Sequence, residues 1–153
     1  MQLQLDQTDY RILMLLSENA RIPWKDLGEQ IHMTGQAVGN RIKKLEEHGV
    51  ISAYSLMIDE MKLGLTCTAF VLIFMKTAHH DLFIRFVQER DEVVEAHRIS
   101  GDGCYHLTIK AASNEQLNQF LDKLLEHGNY RLNLSIHKIK HRHALNAIPT
   151  NQT

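Results

Sequence analysis

Apolar side chains recur at helical spacing in the first third of the chain and at strand-like density after it, so two folded parts are expected. Over residues 7–19, Ile12, Leu13 and Leu16 share one face, which predicts an amphipathic helix. Asp6 is placed to cap it, Asp9 adds negative charge to its first turn, and Leu5 with Tyr10 has the spacing of a hydrophobic staple. Pro23 disfavours helix at Ile22 but suits the first turn of a new one. Trp24, Leu27 and Ile31 then form the expected buried stripe of a short second helix.

A third helix is expected to begin at a Thr34 cap, with Ala37, Val38, Ile42 and Leu45 turned inward. Gln36, Gly39, Asn40, Lys43 and Lys44 are left on its outer face, and His48 with Gly49 ends it. Two helices joined by so tight a turn cross steeply, which defines a helix-turn-helix unit. Residues 50–58 alternate loosely and carry β-branched and aromatic side chains, so a strand or short ribbon, the wing of the unit, is expected there.

The second part reads as a buried strand over residues 66–76, a helix over 81–90, a strand over 93–99, a glycine turn over 100–104 and a returning strand over 105–111. Ser113 or Asn114 caps a helix striped by Leu117, Phe120, Leu121, Leu124 and Leu125. Leu132, Leu134, Ile136 and Lys138 lie on one face of a last strand. The order β-α-β-β-α-β is the ferredoxin-like motif, giving an α+β chain with a winged helix-turn-helix in front. The expected division is 1–60 for the helix-turn-helix domain, 61–65 for a hinge, 66–140 for the ferredoxin-like effector-binding and oligomerisation domain, and 141–153 for a polar tail.

Composition narrows the function classes. The 153 residues are 44% hydrophobic and 23% charged with only 2 Pro, the balance of an ordinary folded protein rather than a disordered one. The longest apolar runs, residues 12–16 and 69–75, are far short of the ~20 residues that cross a bilayer. Residues 1–16 carry acids and a tyrosine instead of a basic start and an apolar run, so no export signal is read and a cytoplasmic location is expected. Cys67 and Cys104 are too few and too isolated for a disulfide framework or a zinc site. The formal net charge is −1, so no global basic field points to nucleic acid. Acids outnumber bases in residues 1–62, yet residues 34–45 contain Arg41, Lys43 and Lys44 with no acid. A local basic element in an acidic frame suits docking on phosphate through one surface.

The candidate site follows from that element. Gln36 and Asn40 present amides able to reach base edges in a major groove, and Lys43, Lys44 and Arg41 present cations for phosphates. Thr34 and Gly35 open the helix, whose N-terminus can meet a phosphate. Gly39 costs about 1 kcal/mol of helix propensity relative to Ala, which either admits close approach of backbone to DNA or is merely tolerated. Trp24 is expected as a core anchor. The His79–His80 pair and the series His137, His141 and His143 lack interleaved Cys, Asp or Glu, so no metal site is read. Nothing resembles a nucleophile elbow, a phosphate loop or a helical zinc pair, so no catalytic residue is assigned.

Over some sixty residues the chain carries Leu5-Asp6, Asp9-Tyr10, Ile12-Leu13, Ala20-Arg21, Leu27-Gly28, Ala37-Val38, Arg41-Ile42-Lys43-Lys44-Leu45-Glu46, Gly49-Val50-Ile51, Tyr54 and Lys62-Leu63-Gly64. In that order and spacing they resemble the leucine-responsive regulatory protein and asparagine-regulator family, the Lrp/AsnC or feast/famine transcription factors. The resemblance implies a sequence-specific double-stranded-DNA-binding regulator, a homodimer that assembles in some members into tetramers or octamers, with an amino half on operator DNA and a carboxyl half sensing amino acids. It also implies a partly structural Arg41, turned back under its helix. Ser100, Gly101, Asp102, Gly103 and Cys104 fall where the family binds small effectors, with an amino acid as the effector and no other cofactor. Cys104 stands where the family usually has an aspartate, and Thr34-Gly35 replace a serine-proline-type start. Two alternatives share the architecture: a DNA-wrapping architectural protein, and an enzyme like the haem-precursor decarboxylases, for which His97, Arg98 and His106 are the candidates.

Overall fold

The computed structural model describes residues 4–76 and 78–140 and divides the chain into two compact units, one running to Met57 and the other spanning Ile58–Ile139. The break thus falls ahead of the expected 61–65 hinge. The expected tail, with His141 and His143, lies outside the described residues.

The first unit is three helices, α1 (Gln7–Glu18), α2 (Trp24–Ile31) and α3 (Gly35–Glu47). Asp6 and Asp9 form a complete capping box at the start of α1, each side chain accepting from the other's backbone N–H. Ile12, Leu27, Val38, Ile42 and Leu45 are essentially fully buried and make one core with Leu13, Leu16 and Ile31. At about 1.5–3 kcal/mol for each large aliphatic side chain removed from water, this cluster holds three short helices that would not persist alone. Residues 50–58 form no strand among the described residues. A ladder needs a partner, and this segment pairs with no described strand, so the expected ribbon is corrected to irregular, largely exposed chain. Tyr54 ties it back to α3, its hydroxyl donating to Glu46 Oε1 at 2.8 Å, and burial together with that carboxylate pushes its pKa up to about 12.

The second unit begins with a short 3₁₀ turn (Glu60–Leu63) and continues through β1 (Cys67–Met75), α4 (His80–Gln88), β2 (Val93–Arg98), β3 (Tyr105–Ala111), α5 (Asn114–Leu124) and β4 (Gly128–Leu134). The four-stranded antiparallel sheet has the order β2-β3-β1-β4, that of the ferredoxin-like fold. Alternate residues Ala69, Val71 and Ile73 of β1 and Tyr105, Leu107, Ile109 and Ala111 of β3 are buried together with Phe83 of α4 and Leu117, Phe120, Leu121 and Leu124 of α5. Lys110 Nζ, on the opposite sheet face, is held by Glu60 and by Thr68 Oγ1.

The last strand differs from expectation. It starts at Gly128, opposite Met75, and its pairing to β1 ends with Leu134 opposite Ala69. The alternation of apolar residues continues past Leu134, but Ile136 is fully exposed and no longer paired in the sheet. One further backbone bond, from the Ser135 amide to Thr68 O at 2.8 Å, closes the contact with β1, and the expected strand is corrected to one that ends at Leu134.

Candidate nucleic-acid interface

α3 is built to show one polar face. Thr34 Oγ1 accepts from the Ala37 amide at 3.2 Å and so fixes the helix start. Val38, Ile42 and Leu45 anchor the inner side, which leaves Gln36, Asn40, Lys43 and Lys44 exposed together on the outer one. Lys43 is 75% exposed and lies 3.8 Å from Glu47, a surface pairing weak enough for a phosphate to displace. Two amides able to pair with base edges and two ammonium groups able to reach phosphates therefore share one exposed helical surface.

The other members of the expected set lie differently. Gly35 is half-buried, and its missing side chain points at the start of α2, where a Cβ would come within 3.1 Å of the Lys25 nitrogen. Arg41 points away from the outer face, with its Nη1 at 2.7 Å from both Asp6 Oδ2 and Asp9 Oδ1. Burial opposes the charge on Asp6, but the Asp9 amide and the Arg41 guanidinium outweigh it and hold the Asp6 carboxyl below its ordinary value. The same two acids raise the pKa of Arg41. Arg41 thus locks α3 onto the start of α1 and sets the rotation at which the outer face is offered.

Trp24 departs from its expected core position. It is 54% exposed, whereas Leu27 and Ile31 of the same stripe are buried. The ring lies over Gly39, where a Cβ would stand 2.6 Å from Cε3 and Cζ3. Close approach by the indole, rather than by nucleic acid, accounts for the glycine at this position.

In the second unit the turn after β2 places Ser100, Gly101 and Asp102 at the surface, with Gly103 and Cys104 half-buried. Gly101 has φ +113°, a conformation that favours glycine. The Cys104 amide donates to Ile73 O at 2.7 Å, so it is committed to β1 rather than to a ligand. His97 and His106 face each other across β2 and β3, and His97 is 60% exposed and bound to Glu95 at 2.9 Å. Neither they nor Arg98 line the open groove of about 700 Å³ in the first unit, which is formed by the end of α1, the residues after it to Arg21, and residues 50–57. No group of three or more potential metal ligands occurs among the described residues.

Residues 5–46 match the AsnC-type helix-turn-helix domain and residues 68–145 the Lrp/AsnC ligand binding domain. The chain belongs to the Lrp/AsnC family. This Lrp/AsnC chain is 54% identical to the HTH-type transcriptional regulator LrpB of Bacillus subtilis across 90% of its own length and 93% of the relative's. It is 39% identical to LrpA of the same organism, over 88% and 99% of the two lengths. Among solved structures, B. subtilis LrpC superposes with a TM-score of 0.86 at 29% identity, covering 92% of this chain and 100% of that one. A Neisseria meningitidis transcriptional regulator in complex with L-Met superposes with a TM-score of 0.88 at 25% identity, over 97% and 98% of the two chains. The helix-turn-helix followed by a four-stranded sheet packed with helices is thus the architecture of this family.

Proposed function

We propose that the protein is a sequence-specific double-stranded-DNA-binding transcriptional regulator that inserts the outer face of α3 into the major groove. The observation that carries the reading is the separation of faces on that one helix: Val38, Ile42 and Leu45 buried, Gln36, Asn40, Lys43 and Lys44 exposed. Gln36 and Asn40 read bases, Lys43 and Lys44 meet phosphates, and the start of the helix at Thr34 and Gly35 approaches the backbone. Arg41 acts chiefly by holding the helix in place through Asp6 and Asp9. Such a regulator works in the cytoplasm on the nucleoid; no helix among the described residues is long and apolar enough to cross a membrane.

A homodimer is the working unit. Leu56 and Met57 are 81% and 74% exposed, a run of apolar surface that a second copy would cover. Two recognition helices related by a two-fold axis then fall on half-sites about one helical turn apart. An amino acid bound at the turn 100–104 modulates the protein, supported by the match to a ligand-binding domain and by the L-Met complex of the Neisseria relative. Cys104 in place of the usual acid removes an anionic partner for an amino group, so the effector is selected by other contacts of that turn. Relatives are named as transcriptional regulators, and the candidates His97, Arg98 and His106 divide between the two faces of the sheet, since His97 and Arg98 are consecutive strand residues, so the non-enzymatic reading is preferred.

The test is a mobility shift on the upstream region of the protein's own gene, repeated with each amino acid. A retarded complex whose affinity one amino acid changes supports both parts of the proposal, and no complex at low salt refutes it. Footprinting separates regulator from architectural wrapper: a short protected palindrome supports the first, long phased protection the second.

A further inference from the structure

Trp24 is the sole tryptophan of the chain and stands at the first residue of α2, half in solvent. Tryptophan combines a broad apolar face with an N–H donor, which suits it to a contact surface with one apolar and one polar side. Its place is specific, because Cε3 and Cζ3 lie against Gly39, three residues after Gln36 and four before Lys43. On a helix those positions are surface neighbours, so the indole forms a side wall along the face of α3 that carries Gln36, Asn40 and Lys43. In an indole the Cε3–Cζ3 edge is diagonally opposite Nε1. With those atoms seated on Gly39, Nε1 is at the far end of the ring from that contact.

We propose that Trp24 is a duplex-contacting residue, its Nε1–H donating to a backbone phosphate oxygen and its ring covering the adjoining sugar while the outer face of α3 occupies the groove. This rests on the DNA-binding reading above. The occupant is duplex DNA rather than a protein partner because the ring is seated on Gly39 of the same helix that exposes Asn40, Lys43 and Lys44. A contact of this kind positions the protein without reading sequence. Being uncharged, the indole releases no counterion, so it adds affinity without adding to the salt dependence.

The experiment uses the full chain and a duplex carrying its upstream region, labelled so that anisotropy reports binding independently of the protein's own emission. Acrylamide quenching of Trp24 is expected to fall when anisotropy shows saturation. Trp24→Phe, which keeps a ring on Gly39 but loses the N–H, should weaken binding to specific and random duplex alike by about tenfold with the salt slope unchanged. Saturated binding with unaltered quenching and full affinity in Trp24→Phe overturns the proposal while leaving the DNA reading intact. Absence of binding by anisotropy overturns both. Quenching that falls with protein concentration alone, without DNA, assigns the indole to a protein contact and likewise overturns it.

Discussion

Arg41→Met removes the guanidinium that bridges Asp6 and Asp9 while keeping most of the aliphatic stem. Nη1 makes two charge-assisted contacts of 2.7 Å, but the two acids differ in exposure, Asp6 at 54% and Asp9 at 13%. The Asp6 pairing is therefore screened and contributes about 0.5 kcal/mol, the value of a surface ion pair. Asp9 would be left largely buried with its charge uncompensated on one side, a loss of about 1–2 kcal/mol. Together these give about 2 kcal/mol for the first unit. Trp24 is the only tryptophan and belongs to that unit, so its emission during urea unfolding reports this unit alone. A double-mutant cycle with Asp9→Asn should return a coupling of about 1 kcal/mol or more. DNA binding supplies the second readout: an arginine engaged internally leaves the salt slope of binding unchanged, whereas one on a phosphate lowers it by about one. An unmoved urea midpoint, or a salt slope reduced by one in Arg41→Met, would refute the assignment of this residue as the lock between α1 and α3.

Lys43→Ala is expected to weaken binding on every duplex and reduce the salt slope by about one, whereas Asn40→Ala should chiefly relax discrimination at one base step, by about 1–3 kcal/mol; competition between specific and random duplex separates the two. Gly28→Ala would place a Cβ 2.4 Å from the Met33 carbonyl oxygen, backbone that cannot yield cheaply, and should cost about 1–3 kcal/mol in the same Trp24-monitored unfolding. The Asp6 carboxyl is held below its ordinary 3.8, so its share of the lock is fully present above that value and is lost as pH falls through the lowered one. The stability gap between wild type and Asp6→Asn, measured by urea unfolding, should accordingly be constant from pH 7 to about pH 5 and close only below about pH 4.

Much of this architecture is legible in the chain because helices declare themselves locally. The period of Ile12, Leu13 and Leu16 and of Val38, Ile42 and Leu45 finds the core of the first unit, and the polar remainder of α3 locates the candidate interface. What local pattern misses depends on partners distant in sequence. Trp24 has the spacing of a core residue, yet Gly39 on another helix gives its ring a seat at the surface. Local pattern reads Arg41 as one of three cations on a basic helix; the family resemblance turns it back under that helix, but its partners Asp6 and Asp9, more than thirty residues earlier, appear only in the fold. Residues 50–58 have the composition of a strand but nothing in the described chain to pair with, and the apolar alternation at 132–138 runs on past Leu134, where the strand ends. β-structure is decided by pairing, which spacing along one segment does not reveal.

The central claim is that the outer face of α3 reads duplex sequence, and selection of tight-binding duplexes from a random library tests it most directly. The account predicts an enriched palindrome with half-sites about one helical turn apart, which Asn40→Ala no longer prefers over random duplex. Recovery of no common sequence, or the same sequence with equal preference by Asn40→Ala and Gln36→Ala, would contradict it.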